Sequence, residues 1–246
     1  MSDKSQQPLI PLQTETPDWR QSNHNASPIT LNSSLTTSLA RFLSVVCHPL
    51  LMPTFAFGIL LFQVPQVLGV DVFPATLRLS LLVLIFVGTF GVPALLIYYL
   101  YRSGYVETLH LKTLADRKLP FFLTAFVYAF MTILFAYRME LISTIAPEIA
   151  VLLGSITVSI LLVGIISLYW QISAHTVGLS GVMGIIAGIM LKFSQSDLFV
   201  PLLLSILLTG FVGSARLKLN AHTPAQIGAG FVLGLCVSLA AVFWLV

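Results

Sequence analysis

Three short stretches carry nearly all the residues that could do acid–base or anion chemistry in an otherwise apolar chain. The first holds Lys112, Asp116, Arg117 and Lys118, followed by Pro120. The second is Ser173-Ala174-His175-Thr176, and the third is Arg216 followed by His222-Thr223-Pro224-Ala225-Gln226. Lysine and arginine supply positive charge and N–H donors. Histidine can attack as a nucleophile or move a proton. That mixture suits an anion of the phosphate type, which is bound by charge-assisted hydrogen bonds.

Local signals put these residues at helix ends. Thr223-Pro224-x-Gln226 reads as a helix N-terminus: a threonine cap, proline at the first helical position and glutamine three residues past the cap. Ser173 is placed to cap a second helix in the same way. A helix N-terminus offers unpaired N–H groups and the positive end of the dipole, which again favours an anion. Taken singly, each residue has a plainer explanation. Basic residues at helix ends set topology or touch headgroups, an interfacial histidine is often structural, and Gln226 completes a capping box. The functional reading rests on their coming together.

The elements that must position them are membrane spans. Hydrophobic residues make up 57% of the 246 and charged residues only 9%, against about 25% charged in soluble domains. A span needs roughly 20 apolar residues. Seven stretches approach this, near 42–63, 78–101, 119–138, 148–169, 174–193, 199–215 and 226–246. The sixth is short, and the first contains His48, Pro49 and Pro53, which predict a kinked or partly re-entrant segment. The expected fold is an all-α, polytopic transmembrane helical bundle of six or seven spans. With seven, two helices separate each polar stretch from the next, so all three lie on one face of the membrane. Ser180, Gly184 and Gly188, and likewise Gly230 and Gly234, recur every four residues and read as helix-packing faces.

Residues 1–38 are polar, rich in Ser, Thr, Gln, Asn and Pro, and predict a disordered tail ahead of a transmembrane domain at 39–246. The first apolar run starts too far from Met1 for a cleaved secretory signal. Cys47 and Cys236 sit inside apolar runs and suggest neither a disulfide framework nor a zinc site. The net charge of +3 is spread over loops, which argues against nucleic acid as a partner. His24 belongs to the tail and His110 to an exposed loop, and His48 is ambiguous beside Pro49.

At these residues the chain resembles the type-2 phosphatidic acid phosphatase and vanadium haloperoxidase superfamily, over roughly residues 105–240. That family carries K-x6-R-P, P-S-G-H and S-R-x5-H-x3-D. Here the three are Lys112-x6-Leu119-Pro120, Ile172-Ser173-Ala174-His175 and Ala215-Arg216-x5-His222-x3-Gln226, in the same order and with the same internal spacing. The resemblance implies a metal-independent, cofactor-free hydrolase of a lipid phosphate or diphosphate that works through a phosphohistidine. His222 would be the nucleophile, His175 the general acid and Gln226 the residue that orients the nucleophile. Lys112, Arg117, Ser173 and Arg216 would hold the phosphate. The implied partners are membrane lipids, and the implied setting is the plasma (inner) membrane of a bacterium.

The departures are specific. Leu119 stands where the family has arginine, with Arg117 two residues earlier as the available substitute. Ala174 and Ala215 replace the family's glycine and serine. Gln226 replaces an aspartate that orients the imidazole and stabilises its positive charge, so the alternative is an impaired pseudophosphatase that binds an anionic headgroup. A transporter or scaffold is a third possibility, lowered by the absence of an inverted repeat and the scarcity of mid-membrane charge. Nine Lys and Arg fall on the side of the three stretches and three on the other side, which by the positive-inside rule is the cytoplasmic side. Setting aside Lys112, Arg117 and Arg216 leaves six against three.

Overall fold

Lipid offers the backbone no hydrogen-bond partners, so a chain this apolar must satisfy its N–H and C=O groups within helices. The computed structural model describes residues 28–108 and 113–246, and every regular element among them is helical. Lys112, His110, His24 and the tail up to residue 27 lie outside the described residues. The chain divides into two units, Met1–Thr36 and Thr37–Val246, and the site belongs to the second.

Among the described residues seven helices are long and apolar enough to cross a membrane: Ser34–Gln63, Ala75–Arg102, Asp116–Arg138, Pro147–Ile166, Ala174–Lys192, Ser196–Lys218 and Pro224–Trp244. These match the seven apolar runs, and they make the chain a polytopic integral membrane protein of the helical class. Helix α1 runs Pro28–Val46 and so begins within the polar stretch 1–38. One expectation is corrected. The sixth span is full length, because its helix carries on through Arg216 and Lys218, where the apolar run has already ended.

The first span is broken where its prolines predict. After α1 the chain turns at Cys47 and passes through a 3-10 turn, Pro49–Leu51, before α2, Met52–Gln63. Pro49 has no N–H to continue the helix. The Nδ1 of His48 accepts from the Leu50 N–H at 3.3 Å and caps the new turn. In the second span α3 (Ala75–Phe86) and α4 (Val92–Arg102) are joined by a π-helical turn, Val87–Gly91. The buried Tyr128 hydroxyl donates to the Thr89 carbonyl of that turn at 2.8 Å, giving a partner to a backbone group at a π-bulge.

The third and fourth spans are α5 (Leu114–Ile133) and α7 (Pro147–Ile166), joined through the short α6 (Glu140–Ile145). They pack along each other. Helix α8 (Ala174–Lys192) is the most buried of the spans and packs on α9 (Phe199–Lys218), α10 (Pro224–Trp244) and α2. The α8–α10 contact is the closest, and small residues allow it. A Cβ on Gly234 would collide with the Val177 carbonyl and the Ser180 hydroxyl, and one on Gly184 would lie 2.9 Å from Ser238 Cβ. The predicted small-residue stripes therefore face each other. This approach fixes the N-terminal ends of α8 and α10 side by side.

Candidate functional site

The ends of α5, α8 and α10 meet through hydrogen bonds that join distant parts of the chain, and the end of α9 adds a charge beside them. The Ser173 N–H, at the start of α8, donates to the Gln226 carbonyl in α10 at 3.3 Å. Arg117 Nη1, in the first turn of α5, donates to the Ile172 carbonyl at 3.3 Å. The charge of Arg216, near the end of α9, acts on Arg117, His222, His175 and His48. Arg117, Ser173, His175, Arg216, His222 and Gln226 thus form one cluster at one end of the bundle, as the span parity requires.

Helix geometry decides between Arg117 and Leu119. Two residues turn a helix by about 200°, placing them on opposite faces. Arg117 is 6% exposed and turned inward, whereas Leu119 is 46% exposed and turned outward. The guanidinium at the cluster is therefore that of Arg117. Asp116 is buried as well, but its Oδ1 accepts from the Glu107 N–H at 3.0 Å. It faces the preceding loop, and the acceptor for His222 comes from Gln226 instead.

Gln226 serves two purposes with one oxygen. Its Oε1 accepts from the Thr223 N–H at 3.0 Å, while its own N–H is capped by Thr223 Oγ1 at 3.4 Å. This is the predicted capping box. The same Oε1 lies 3.3 Å from His222 Nδ1. Because the Thr223 N–H must meet an oxygen, the amide orientation is fixed, and Oε1 favours the His222 tautomer with its proton on Nδ1. The backbone of Gln171 is a second partner of the ring, and both partners favour protonation. Burial opposes them most strongly, with the charges of Arg216 and Arg117 next, and the His222 pKa falls from 6.5 to about 4. At neutral pH His222 is therefore an uncharged imidazole beside two guanidinium groups.

Ser173 departs from its expected part. It stands at the N-cap of α8, but its hydroxyl does not cap the helix. Its ψ of 102° differs from the 158° and 161° of Thr113 and Thr223, both of which cap. The Ser173 hydroxyl is fully buried and has no hydrogen-bond partner among the described residues. The same holds for the buried Nε of Arg216. Two polar atoms at the cluster therefore lack partners, and each such loss costs on the order of 1–3 kcal/mol unless something binds there.

Sequence reasoning left His48 of the first span ambiguous and missed Ser44. His175 Nε2 lies 3.0 Å from the Ser44 carbonyl, so Nε2 carries the proton and Nδ1 is the remaining nitrogen. His48 stacks edge-on against His175, with ring centroids 6.0 Å apart. The usable signal was an ionisable residue inside an apolar span, which by itself marks a polar site.

Fold and cluster together define an all-helical protein with seven candidate membrane spans and a buried cationic, histidine-bearing site at one end of the bundle. No family model, curated protein or solved structure matches the chain.

Proposed function

We propose that the cluster binds the phosphate of a membrane lipid, and that the protein hydrolyses a lipid phosphate or diphosphate through a phosphohistidine on His222. The observation that carries this reading is the convergence of Arg117 and Arg216 on a neutral His222. Two like charges held together in a largely buried site are stabilised by an anion between them. A neutral imidazole keeps the lone pair that a nucleophile needs. The unpartnered Ser173 hydroxyl and Arg216 Nε add donors for phosphate oxygens. Lys112 joins them on the strength of its motif alone.

The proposed reaction has two steps. The His222 lone pair attacks phosphorus, the N–P bond forms and the bond to the lipid oxygen breaks. That oxygen leaves with the electron pair and takes the proton that His175 Nδ1 acquires from solvent once the phosphate anion is bound beside it. A water then attacks phosphorus, gives its proton to His175, and the N–P electron pair returns to His222 as inorganic phosphate departs. The two guanidinium groups neutralise the charge on the transferring group. The test is phosphate release by the purified full chain from a panel of lipid phosphates in the presence of a chelator. Wild type is expected to release phosphate and His222→Ala to release none. Undiminished release by His222→Ala overturns the assignment of the nucleophile.

A second reading has its own support in Gln226. An amide supplies an acceptor to His222 but no negative charge to stabilise the imidazolium formed on attack. The analogous loss of a carboxylate in a serine-protease triad costs about 10⁴ in rate. On this reading the cluster binds an anionic headgroup without turnover. Binding of lipid phosphate that Arg216→Ala weakens by tenfold or more, with no phosphate release by wild type, selects it.

A further inference from the structure

The break in the first span frees one particular carbonyl. Proline disfavours the α region for the residue before it, and His48, which precedes Pro49, is extended, with a ψ of 134°. Helix α1 therefore cannot pass through His48. In an unbroken helix the His48 N–H would donate to the Ser44 carbonyl four residues back. Here it donates to the Val45 carbonyl at 3.3 Å, and the Cys47 N–H takes the Leu43 carbonyl at 2.9 Å. The Ser44 carbonyl is passed over, and His175 Nε2 lies 3.0 Å from it. A carbonyl only accepts, so the neutral imidazole carries its proton on Nε2 and keeps Nδ1 as its lone-pair nitrogen.

The His48 side chain completes the arrangement. Its Nδ1 accepts from the Leu50 N–H at 3.3 Å, which fixes the ring as a cap of the 3-10 turn. That ring has two aromatic neighbours. His175 meets it at an interplanar angle of 73° with centroids 6.0 Å apart, and Phe90 at 84° with centroids 6.5 Å apart. Phe90 belongs to the π-helical turn of the second span and stacks on Phe86. Irregular backbone from two spans thus converges on one histidine. Gly178, three residues after His175, lets α8 come close to the break. A Cβ there would lie 2.9 Å from Met52 Cγ and 3.5 Å from the Pro49 Cα.

We propose that His48 is a positioning residue for His175, and that together with the Ser44 carbonyl it aims His175 Nδ1 at the oxygen that leaves phosphorus. The inference rests on the reading of His175 as the proton donor. One hydrogen bond leaves an imidazole free to swing about the bonded nitrogen, and a packed neighbouring ring removes that freedom. The Nε2 proton stays on the Ser44 carbonyl throughout. Only the Nδ1 proton moves: it bonds to the leaving oxygen as the P–O bond breaks, and Nδ1 recovers its lone pair. His48 is not itself a relay, because a proton arriving on its Nδ1 would displace the Leu50 N–H bound there. The broken first span, which lies outside the three polar stretches, is thereby part of the site.

The test compares two substrates with the full chain in detergent micelles. An alkoxide needs a proton as it leaves phosphorus, whereas a nitrophenolate leaves without one. His48→Asn removes the ring but keeps an acceptor for the Leu50 N–H, since asparagine is a good cap. It is expected to lower phosphate release from a short-chain phosphatidic acid by about tenfold or more, and release from p-nitrophenyl phosphate by less than about twofold. Gly178→Val, which pushes α8 away from the break, is expected to show the same selective loss. Equal losses on the two substrates, or none on either, overturn the proposal. NMR of the chain carrying isotope-labelled histidine reads the positioning without turnover. His175 is expected to be a single Nε2–H tautomer in wild type and an average of both in His48→Asn. An averaged or Nδ1–H tautomer in wild type overturns the proposal even if no variant folds, and so does an unchanged tautomer in His48→Asn. Expected tautomers with no phosphate release from either substrate remove hydrolysis and retain the positioning of His175. Release with an averaged wild-type tautomer does the reverse.

Discussion

His222 Nδ1 lies 3.3 Å from Gln226 Oε1, the oxygen that also accepts from the Thr223 N–H and so belongs to the cap of α10. One amide therefore ties the imidazole to the start of a transmembrane helix. The local sequence that begins α10 is the same sequence that orients the ring.

That sharing predicts opposite effects for two substitutions at one position. Gln226→Ala removes both the cap partner and the ring acceptor, and is expected to cost about 1 kcal/mol of stability together with ordered binding at His222. Gln226→Asp puts a carboxylate one carbon shorter at the same place. It is expected to raise the His222 pKa by opposite charge and to increase phosphate release. Thermal unfolding in detergent and phosphate release measure the two outcomes. A fall in release for Gln226→Asp contradicts the orienting role.

The pH dependence follows from burial of His222. Its pKa in the folded protein is about 4 against an ordinary value of 6.5. The unfolded chain therefore binds the proton more readily across that window. Stability contributed by this group is complete above about pH 6.5 and is lost as pH falls toward 4. Wild type is expected to melt progressively earlier over that range, and His222→Gln to lack that component. An imidazole titration by NMR that places His222 near 6.5 contradicts the assignment.

Glycine packing predicts a graded series along α10 and α9. Gly234→Ala would drive a methyl group into the Val177 carbonyl, and Gly230→Ala would place one 2.7 Å from the Ser173 carbonyl and against Thr176 Oγ1. Each is expected to cost about 1–3 kcal/mol as overpacking, and Gly230→Ala also displaces the end of α8 that carries Ser173 and His175. Gly210→Ala, with open space around its Cβ, is expected to leave the melting temperature within about 2 °C of wild type, since 1 kcal/mol corresponds to about 2–4 °C in a chain of this size. Similar losses at all three positions contradict the packing.

Membrane orientation is testable at the other end of the chain. Seven spans place Val246 across the membrane from the polar cluster, and the distribution of Lys and Arg predicts, by the positive-inside rule, that the cluster faces the cytoplasm. A reporter fused after Val246 is expected to be active only on the outer side of the membrane. Activity in the cytoplasm reverses either the span count or the orientation.

Much of the architecture was legible because it depends on local properties. Apolar runs predicted six or seven spans, of which the structure has seven among its described residues, and the prolines marked the break in the first. Thr223-Pro224-x-Gln226 marked the start of α10 because capping is settled within four residues. Parity then placed Arg117, Ser173, His175, Arg216, His222 and Gln226 on one face without knowledge of any distance. Ser173 shows the limit of such reasoning. It has the type and position of a cap, but the Gln226 carbonyl on another helix takes its N–H and its side chain turns elsewhere.

The sequence by itself determined the helical class, a count of six or seven spans, the broken first helix and, given seven, the common end shared by the polar residues, because hydropathy, proline chemistry and crossing parity act along the chain. Only the tertiary structure decided which guanidinium turns inward, that Ser44 and His48 adjoin His175, and that Gln226 reaches His222. Those outcomes depend on how closely α8 and α10 approach and on how each helix is rotated about its axis. Contacts between residues far apart in the chain set both, and no single helix encodes them.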